Sequence, residues 1–200
     1  MSSLKNDKFE YKIYSGVLTK NECNNLISQC TDFKVSQTIN DLEKEEKTYR
    51  KALTAVFTTE PFYITKLRNY FAQVTNTKVG QQETPISIVK YSEGDYYLPH
   101  LDAFGGVGDI THPEAGDRLI TGIAYLNDDY TGGETLFNSQ DIKVKGTQGD
   151  LLVWRNLNKD GSPNKNTLHS GQPITKGSKY IAVIWAREHE LNSFTEKTLF

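Results

Sequence analysis

Two segments in the first half of the chain carry apolar residues at helical spacing, and from residue 86 onward the apolar positions fall into short strand-like runs. Thr19-Lys20-Asn21-Glu22 has the form of a capping box, followed by Cys23, Leu26, Ile27 and Cys30 on one helical face. A second helix is expected from about Thr59, with Pro61 in its first turn and Ile64, Leu67, Phe71 and Val74 at helical spacing. Between them, 41–51 is densely charged and nearly neutral. It reads as a solvated loop or, alternatively, as a mobile lid over a substrate. Residues 86–91, 118–126, 151–154 and 180–186 are rich in Ile, Val, Tyr and Trp and read as strands. Polar or glycine-rich stretches separate them at 105–116, 128–133, 156–166 and 171–177. No helical pattern lies between the strands, so an antiparallel sandwich or small barrel is expected, with the N-terminal helices packed on one side.

Composition narrows the class. A chain of 200 residues fits one domain with a single sizeable core. The 36% hydrophobic share is low, but 9 Phe, 11 Tyr and 2 Trp add volume. The formal net charge of −2 gives no reason to expect nucleic acid, which requires a basic surface. No apolar run approaches the ~18–20 residues needed to span a bilayer, so no membrane partner is expected. The opening MSSLKNDKFE lacks an apolar leader core, so secretion by that route is not expected and a cytoplasmic protein is. Cys23 and Cys30 lie about two helical turns apart, too far for a disulfide, and read as reduced core residues. Zinc-ribbon, P-loop, HExxH and GxSxG patterns are absent from the sequence.

Chemistry concentrates around two of the four histidines, one aspartate and one lysine. His100-Leu101-Asp102 places two ligand types at i and i+2, on one face of an extended segment. Taken alone, such a pair is far more often structural than metal-binding. A distant third ligand, His169 in Thr167-Leu168-His169-Ser170, would complete the two-histidine, one-carboxylate facial set of non-haem Fe(II) oxygenases. The run from Lys179 alternates, with Lys179, Ile181, Val183, Trp185 and Arg187 on one face and Tyr180, Ala182, Ile184 and Ala186 on the other. If the Ile/Val face is interior, Lys179 is an inward cation that needs an anionic partner; otherwise it frays into solvent. His112 and His189 read as solvent-facing.

The segment Tyr91-Ser92-Glu93-Gly94-Asp95-Tyr96-Tyr97-Leu98-Pro99-His100-Leu101-Asp102 resembles the Y-x2-G-x2-Y-x2-H-x-D signature of the collagen-type prolyl 4-hydroxylases, a branch of the 2-oxoglutarate-dependent oxygenases. Similar matches follow in order: Arg118 to Thr121, Tyr125-Leu126-Asn127, Gly132 to Phe137, Gly149 to Trp154, Leu168 to Gly171 and Gly177 to Trp185. The resemblance implies a single oxygenase domain over 1–200, mainly β with N-terminal helices. Helical support would occupy about 1–83 and a double-stranded β-helix about 84–190. It implies His100, Asp102 and His169 as ligands of Fe(II). Lys179, Thr135 and Tyr91 would hold 2-oxoglutarate, and Tyr97, Arg118 and Trp185 would surround a peptidyl proline. O2 is the second cosubstrate, ascorbate a candidate reductant, and a proline-containing peptide or protein the partner. Arg187 stands where members of the family often have histidine, which leaves the peptide open. Hydroxylation of a free amino acid or lysyl residue, and a binding module with a structural metal, remain as alternatives. The sequence does not address oligomeric state. The stretches 41–51 and 104–116 are expected to be mobile without peptide and ordered with it.

Overall fold

Helix α1 (Lys20–Gln29) starts at the expected capping box: the Glu22 amide donates to Thr19 Oγ1 at 3.3 Å, and the Thr19 amide donates to Glu22 Oε2 at 2.7 Å. Helix α2 (Phe62–Thr75) starts a few residues later than its apolar spacing suggests, with Pro61 as an extended N-cap. A residue that precedes proline is pushed out of the helical region, so Glu60 cannot join the first turn. The structure is a computed structural model that describes residues 9–36, 49–105 and 113–191.

The strands are β1 (Tyr11–Tyr14), β2 (Lys34–Val35), β3 (Arg50–Lys51), β4 (Leu53–Val56), β5 (Ser87–Tyr91), β6 (Tyr96–His100) and β7 (Arg118–Tyr125). They continue with β8 (Thr131–Gly132), β9 (Thr135–Phe137), β10 (Ile142–Val144), β11 (Leu151–Arg155), β12 (His169–Gly171), β13 (Ile174–Lys176) and β14 (Lys179–Arg187). A large sheet runs β1-β11-β7-β14-β5-β4-β2, and a small one runs β10-β9-β12-β6-β3. Neighbours in both sheets are antiparallel. Strands β8 and β13 form a separate ribbon. This is the mainly β, double-stranded β-helix architecture with N-terminal helices.

The period-2 pattern decides which face is which. On β14, Ile181 and Val183 enter the gap between the sheets with Val89, Ile123, Leu152 and Trp154. Ala182, Ile184 and Ala186 face the other way, against Leu26 of α1 and Ile64, Leu67 and Phe71 of α2. Gly122 sits where a Cβ would come 2.7 Å from the Phe71 ring, so the helix can lie this close only over glycine. Cys23 and Cys30 are free and buried in this outer layer, and burial pushes both thiols up to about 11.

Two expectations change. The N-terminal part does more than provide helical support, since β1, β2 and β4 extend the large sheet and β3 extends the small one. Strands of two to four residues have too few positions to show a period, and the sheet edge they pair with defines them. In the charged stretch, residues 41–48 lie outside the described residues, but Arg50 and Lys51 are strand and pair with Tyr97 and Tyr96. For 104–116, residues 106–112, including His112, lie outside the described residues. The near stem is pinned: the Phe104 and Gly105 amides donate to the Asp117 carboxylate at 2.7 and 3.0 Å. His189 is exposed, as expected.

Candidate metal centre and cosubstrate pocket

His100 ends β6 and His169 begins β12, and the two are direct cross-strand partners. Their ring centroids are 4.2 Å apart. Each Nδ1 lies beside the backbone carbonyl two residues earlier, His100 with Leu98 at 2.8 Å and His169 with Thr167 at 2.9 Å. A carbonyl only accepts, so Nδ1 carries the proton and Nε2 keeps its lone pair. Asp102, just past β6, lies with Oδ1 3.6 Å from His100 Nε2 and Oδ2 3.9 Å from His169 Nε2. One ligand atom from each of the three residues falls within 4.8 Å of the others.

The surroundings of His100 and Asp102 favour the protonation states that bind metal. Burial lowers the His100 pKa, helped by the neighbouring His169, and so favours neutral imidazole. Burial alone would raise Asp102, but His169, His100, Arg118 and a hydrogen bond from Thr121 outweigh it and hold the carboxyl below its ordinary value. Thr121 Oγ1 donates to Asp102 Oδ2 at 2.6 Å and itself accepts from Asn156 Nδ2 at 2.8 Å. This relay aims the carboxylate, a role that no spacing in the sequence assigns to Thr121 or Asn156. Thr121→Val is expected to weaken Fe(II) or Co(II) affinity about 10- to 100-fold in a metal titration. Unchanged affinity would show that the relay does not orient Asp102. Two imidazole nitrogens and one carboxylate suit Fe(II), whereas a closed zinc site would want a fourth protein ligand. Among the described residues no further His, Cys, Asp or Glu joins the group.

Aromatic rings wall the centre. Tyr97 stacks on His100 at 3.7 Å between centroids, with Arg50 Cζ 4.9 Å from the Tyr97 ring. Trp154 meets His169 edge-on at 4.8 Å, and Phe137 lies 6.0 Å from it. Arg50 was not singled out, because a lone arginine at the end of a charged run carries no periodic signal.

Lys179 starts β14 opposite Tyr91, and it points inward at 4% exposure. Its Nζ donates to the Gly133 carbonyl at 2.6 Å and lies 5.4, 5.9 and 6.0 Å from the rings of Tyr125, Tyr91 and Tyr130. Thr135 Oγ1 is 3.4 Å from the Tyr125 hydroxyl. Among the described residues, the buried hydroxyl of Tyr130 and the indole N–H of Trp154 have no hydrogen-bond partner. A buried ammonium beside an unanswered hydroxyl fits a carboxylate-bearing ligand such as 2-oxoglutarate. Gly133, at φ +70°, keeps this corner open, since a Cβ there would strike the Ile174 side chain and crowd the Tyr130 ring.

Desolvation lowers Lys179 to about 8; Glu134 partly offsets this and Lys145 adds to it. A carboxylate needs the protonated amine. The affinity for 2-oxoglutarate should therefore be flat well below about pH 8 and fall about tenfold per unit above it. Calorimetric titrations across that range would check the sign, and an affinity that rose with pH would contradict it.

Arg118 is buried deeper than a surface ion pair. It makes a bidentate pair with Glu83, and its Cζ lies 3.8 Å over the Trp185 ring. It is also close enough to Asp102 to help keep that carboxyl ionised. Tyr97 therefore borders the metal group directly, while Arg118 and Trp185 form a stacked pair beside it.

Fold and donor set define a mononuclear non-haem iron enzyme on a double-stranded β-helix. The chain belongs to the 2OG-Fe(II) oxygenase superfamily, whose family model matches residues 86–187. It is a 2-oxoglutarate-dependent dioxygenase, with Fe(II) and 2-oxoglutarate as its cofactor and cosubstrate. It is 25% identical over 204 residues to Prolyl 4-hydroxylase 5 of Arabidopsis thaliana, matching 89% of this chain and 68% of the plant protein. It is 31% identical over 105 residues to the Prolyl 4-hydroxylase subunit alpha-3 of Homo sapiens, matching 52% of this chain and 19% of that subunit. A crystal structure of a viral collagen prolyl hydroxylase from Paramecium Bursaria Chlorella virus-1, in its 2OG complex, superposes with a TM-score of 0.71. The match has 25% identity and covers 92% of this chain and 98% of the viral one. The chain thus spans about two thirds of the plant relative and about a fifth of the human subunit. No helix among the described residues is long and apolar enough to cross a membrane.

Proposed function

We propose that this chain hydroxylates proline at C4 in a peptide or protein, forming succinate and CO2 from 2-oxoglutarate and O2. The observation that carries the choice of proline is the likeness, over 92% of the chain, to a structure described as a collagen prolyl hydroxylase. Lys at position 179, as in the collagen-type branch, also speaks against a lysyl target. An inward cation beside an open donor set has no purpose in a module that binds metal only structurally.

In this reading His100 Nε2, the Asp102 carboxylate and His169 Nε2 hold the iron, and Lys179, Thr135 and Tyr91 receive the cosubstrate. When bound, iron and 2-oxoglutarate together supply the oxidation that places one oxygen atom of O2 on the proline and the other in succinate. The chain's own residues do the rest. Lys179 fixes the distal carboxylate by a charge-assisted bond in a dry pocket. Thr121 and the two backbone carbonyls keep the ligand atoms aimed at one point. Tyr97, Phe137 and Trp154 keep water from the centre, and Arg118 on Trp185 orients the peptide. No protein general base is required, which agrees with the absence of an acid–base pair among the site residues named above.

Mass spectrometry of proline-containing peptides after incubation with enzyme, Fe(II), 2-oxoglutarate and O2 tests the proposal. A gain of one oxygen on proline, matched by succinate, is expected. Succinate formation with no oxidised proline in any peptide would exclude the proline reading.

A further inference from the structure

Glu83, four residues before β5, holds two arginines with one carboxylate. Arg118 donates Nε to its Oε1 and Nη2 to its Oε2, both at 2.8 Å. Arg187 Nε lies 2.6 Å from the same Oε1, and Arg187 Nη1 donates to the Gly116 carbonyl at 2.8 Å. Arg187 is fully buried, and the Glu83 side chain is 19% exposed. The Phe104 ring lies 4.8 Å from the Cζ of each arginine. A backbone bond from the Glu83 amide to the Trp185 carbonyl, at 2.9 Å, ties the acid to the strand that carries the indole.

We infer that Glu83 is a positioning residue for the peptide: it locks the Arg118 guanidinium flat on Trp185 so that one edge faces the substrate. The inference rests on the proline reading above. A planar guanidinium held along one edge by a carboxylate and on one face by an indole has little freedom left. Nε and Nη2 are taken by Glu83, so Nη1 is the donor left for another acceptor. A proline-rich chain creates the need for such a donor, because proline has no N–H and an extended proline-rich backbone offers mainly carbonyl oxygens. Arg187 strengthens the lock, since its Nε meets Oε1 from a second side and leaves the carboxylate little room to turn.

Glu83→Gln keeps the shape of the side chain and removes its charge. The Michaelis constant for a collagen-like Pro-Pro-Gly repeat peptide should rise about 30-fold, because a buried charge pair has lost one partner. The maximal rate should change less than about threefold, and the constant for 2-oxoglutarate less than about twofold. Peptide binding to the Zn(II)-loaded protein, followed by tryptophan fluorescence, should weaken in parallel, and Glu83→Asp should recover part of the loss. The double variant Glu83→Gln, Arg187→Met also removes the second buried cation. Its melting temperature should return toward wild type while the peptide constant stays raised. Recovery of both in the double variant would reduce Glu83 to a structural role and overturn the inference. Wild-type hydroxylation of the peptide with an unaltered constant in Glu83→Gln would overturn the inference alone. A wild-type enzyme that consumes 2-oxoglutarate yet never oxidises proline would overturn the underlying reading and the inference with it.

Discussion

Replacing His169 with alanine is expected to abolish 2-oxoglutarate turnover while leaving the sheets assembled. The remaining donors, His100 and Asp102, sit on one side of the centre, on β6 and just beyond it, whereas His169 approaches from β12. Two ligands from one segment cannot define the face of a coordination sphere, so iron binding should collapse along with activity. The ring is held by its Nδ1 bond to Thr167 and by contacts with Trp154 and Phe137. Its removal leaves a small cavity, at a cost of roughly 1–3 kcal/mol, which a domain of this size can absorb. Circular dichroism should therefore be retained, metal titration should show no stoichiometric site, and succinate production should fall to background. Turnover at the wild-type rate would mean that the metal ligands are other residues.

His169 and Lys179 were legible in the sequence for different physical reasons. The histidine was findable because HxD has a spacing that an extended strand converts into a shared face, and a third ligand then has to come from elsewhere. The lysine was findable because β14 is long enough for alternation to be read: Ile181 and Val183 fix the inward face, and Lys179 shares it. Glu83, Thr121, Asn156 and Arg50 carry no such signal. Thr121 looks like a polar interruption in an apolar strand until β7 is seen to turn it toward Asp102. Arg50 lies in a charged run that reads as solvated, and its burial depends on β3 pairing with β6, a contact between distant segments. Strand β12 is only three residues long, so its place beside β6 follows from the sheet and not from any local pattern. Local periodicity thus located the residues on long elements. Those whose roles depend on a partner across the fold became visible only with the fold itself.

Lys179→Ala should weaken 2-oxoglutarate binding by about two to three powers of ten, with metal affinity little changed. A carboxylate that enters a pocket of this dryness is stabilised mainly by the one buried ammonium. Removing one partner of such a pair leaves the other buried and unanswered, at roughly 3–5 kcal/mol, and each ~1.4 kcal/mol is a factor of ten. The Tyr130 hydroxyl and Thr135 can still donate, and they hold the loss to the lower part of that range. Stability should move the other way. In the ligand-free protein the ammonium is 4% exposed, with the Gly133 carbonyl as its hydrogen-bond acceptor and aromatic rings around it. Exchange for an apolar side chain of similar length, Lys179→Met, removes that desolvation and should leave the melting temperature unchanged or raise it. The same Lys179→Met variant should bind 2-oxoglutarate as poorly as Lys179→Ala, which separates loss of charge from loss of volume. Lys179→Arg should recover only part of the affinity. The charge is kept, but the longer planar fork must fit against Ile174, Tyr130 and Gly133, where even an added Cβ on Gly133 finds no room. Calorimetric titration of 2-oxoglutarate into the metal-loaded variants would measure all three. A dissociation constant in Lys179→Met within about threefold of wild type would assign the carboxylate to another cation, with Arg118 the first to examine.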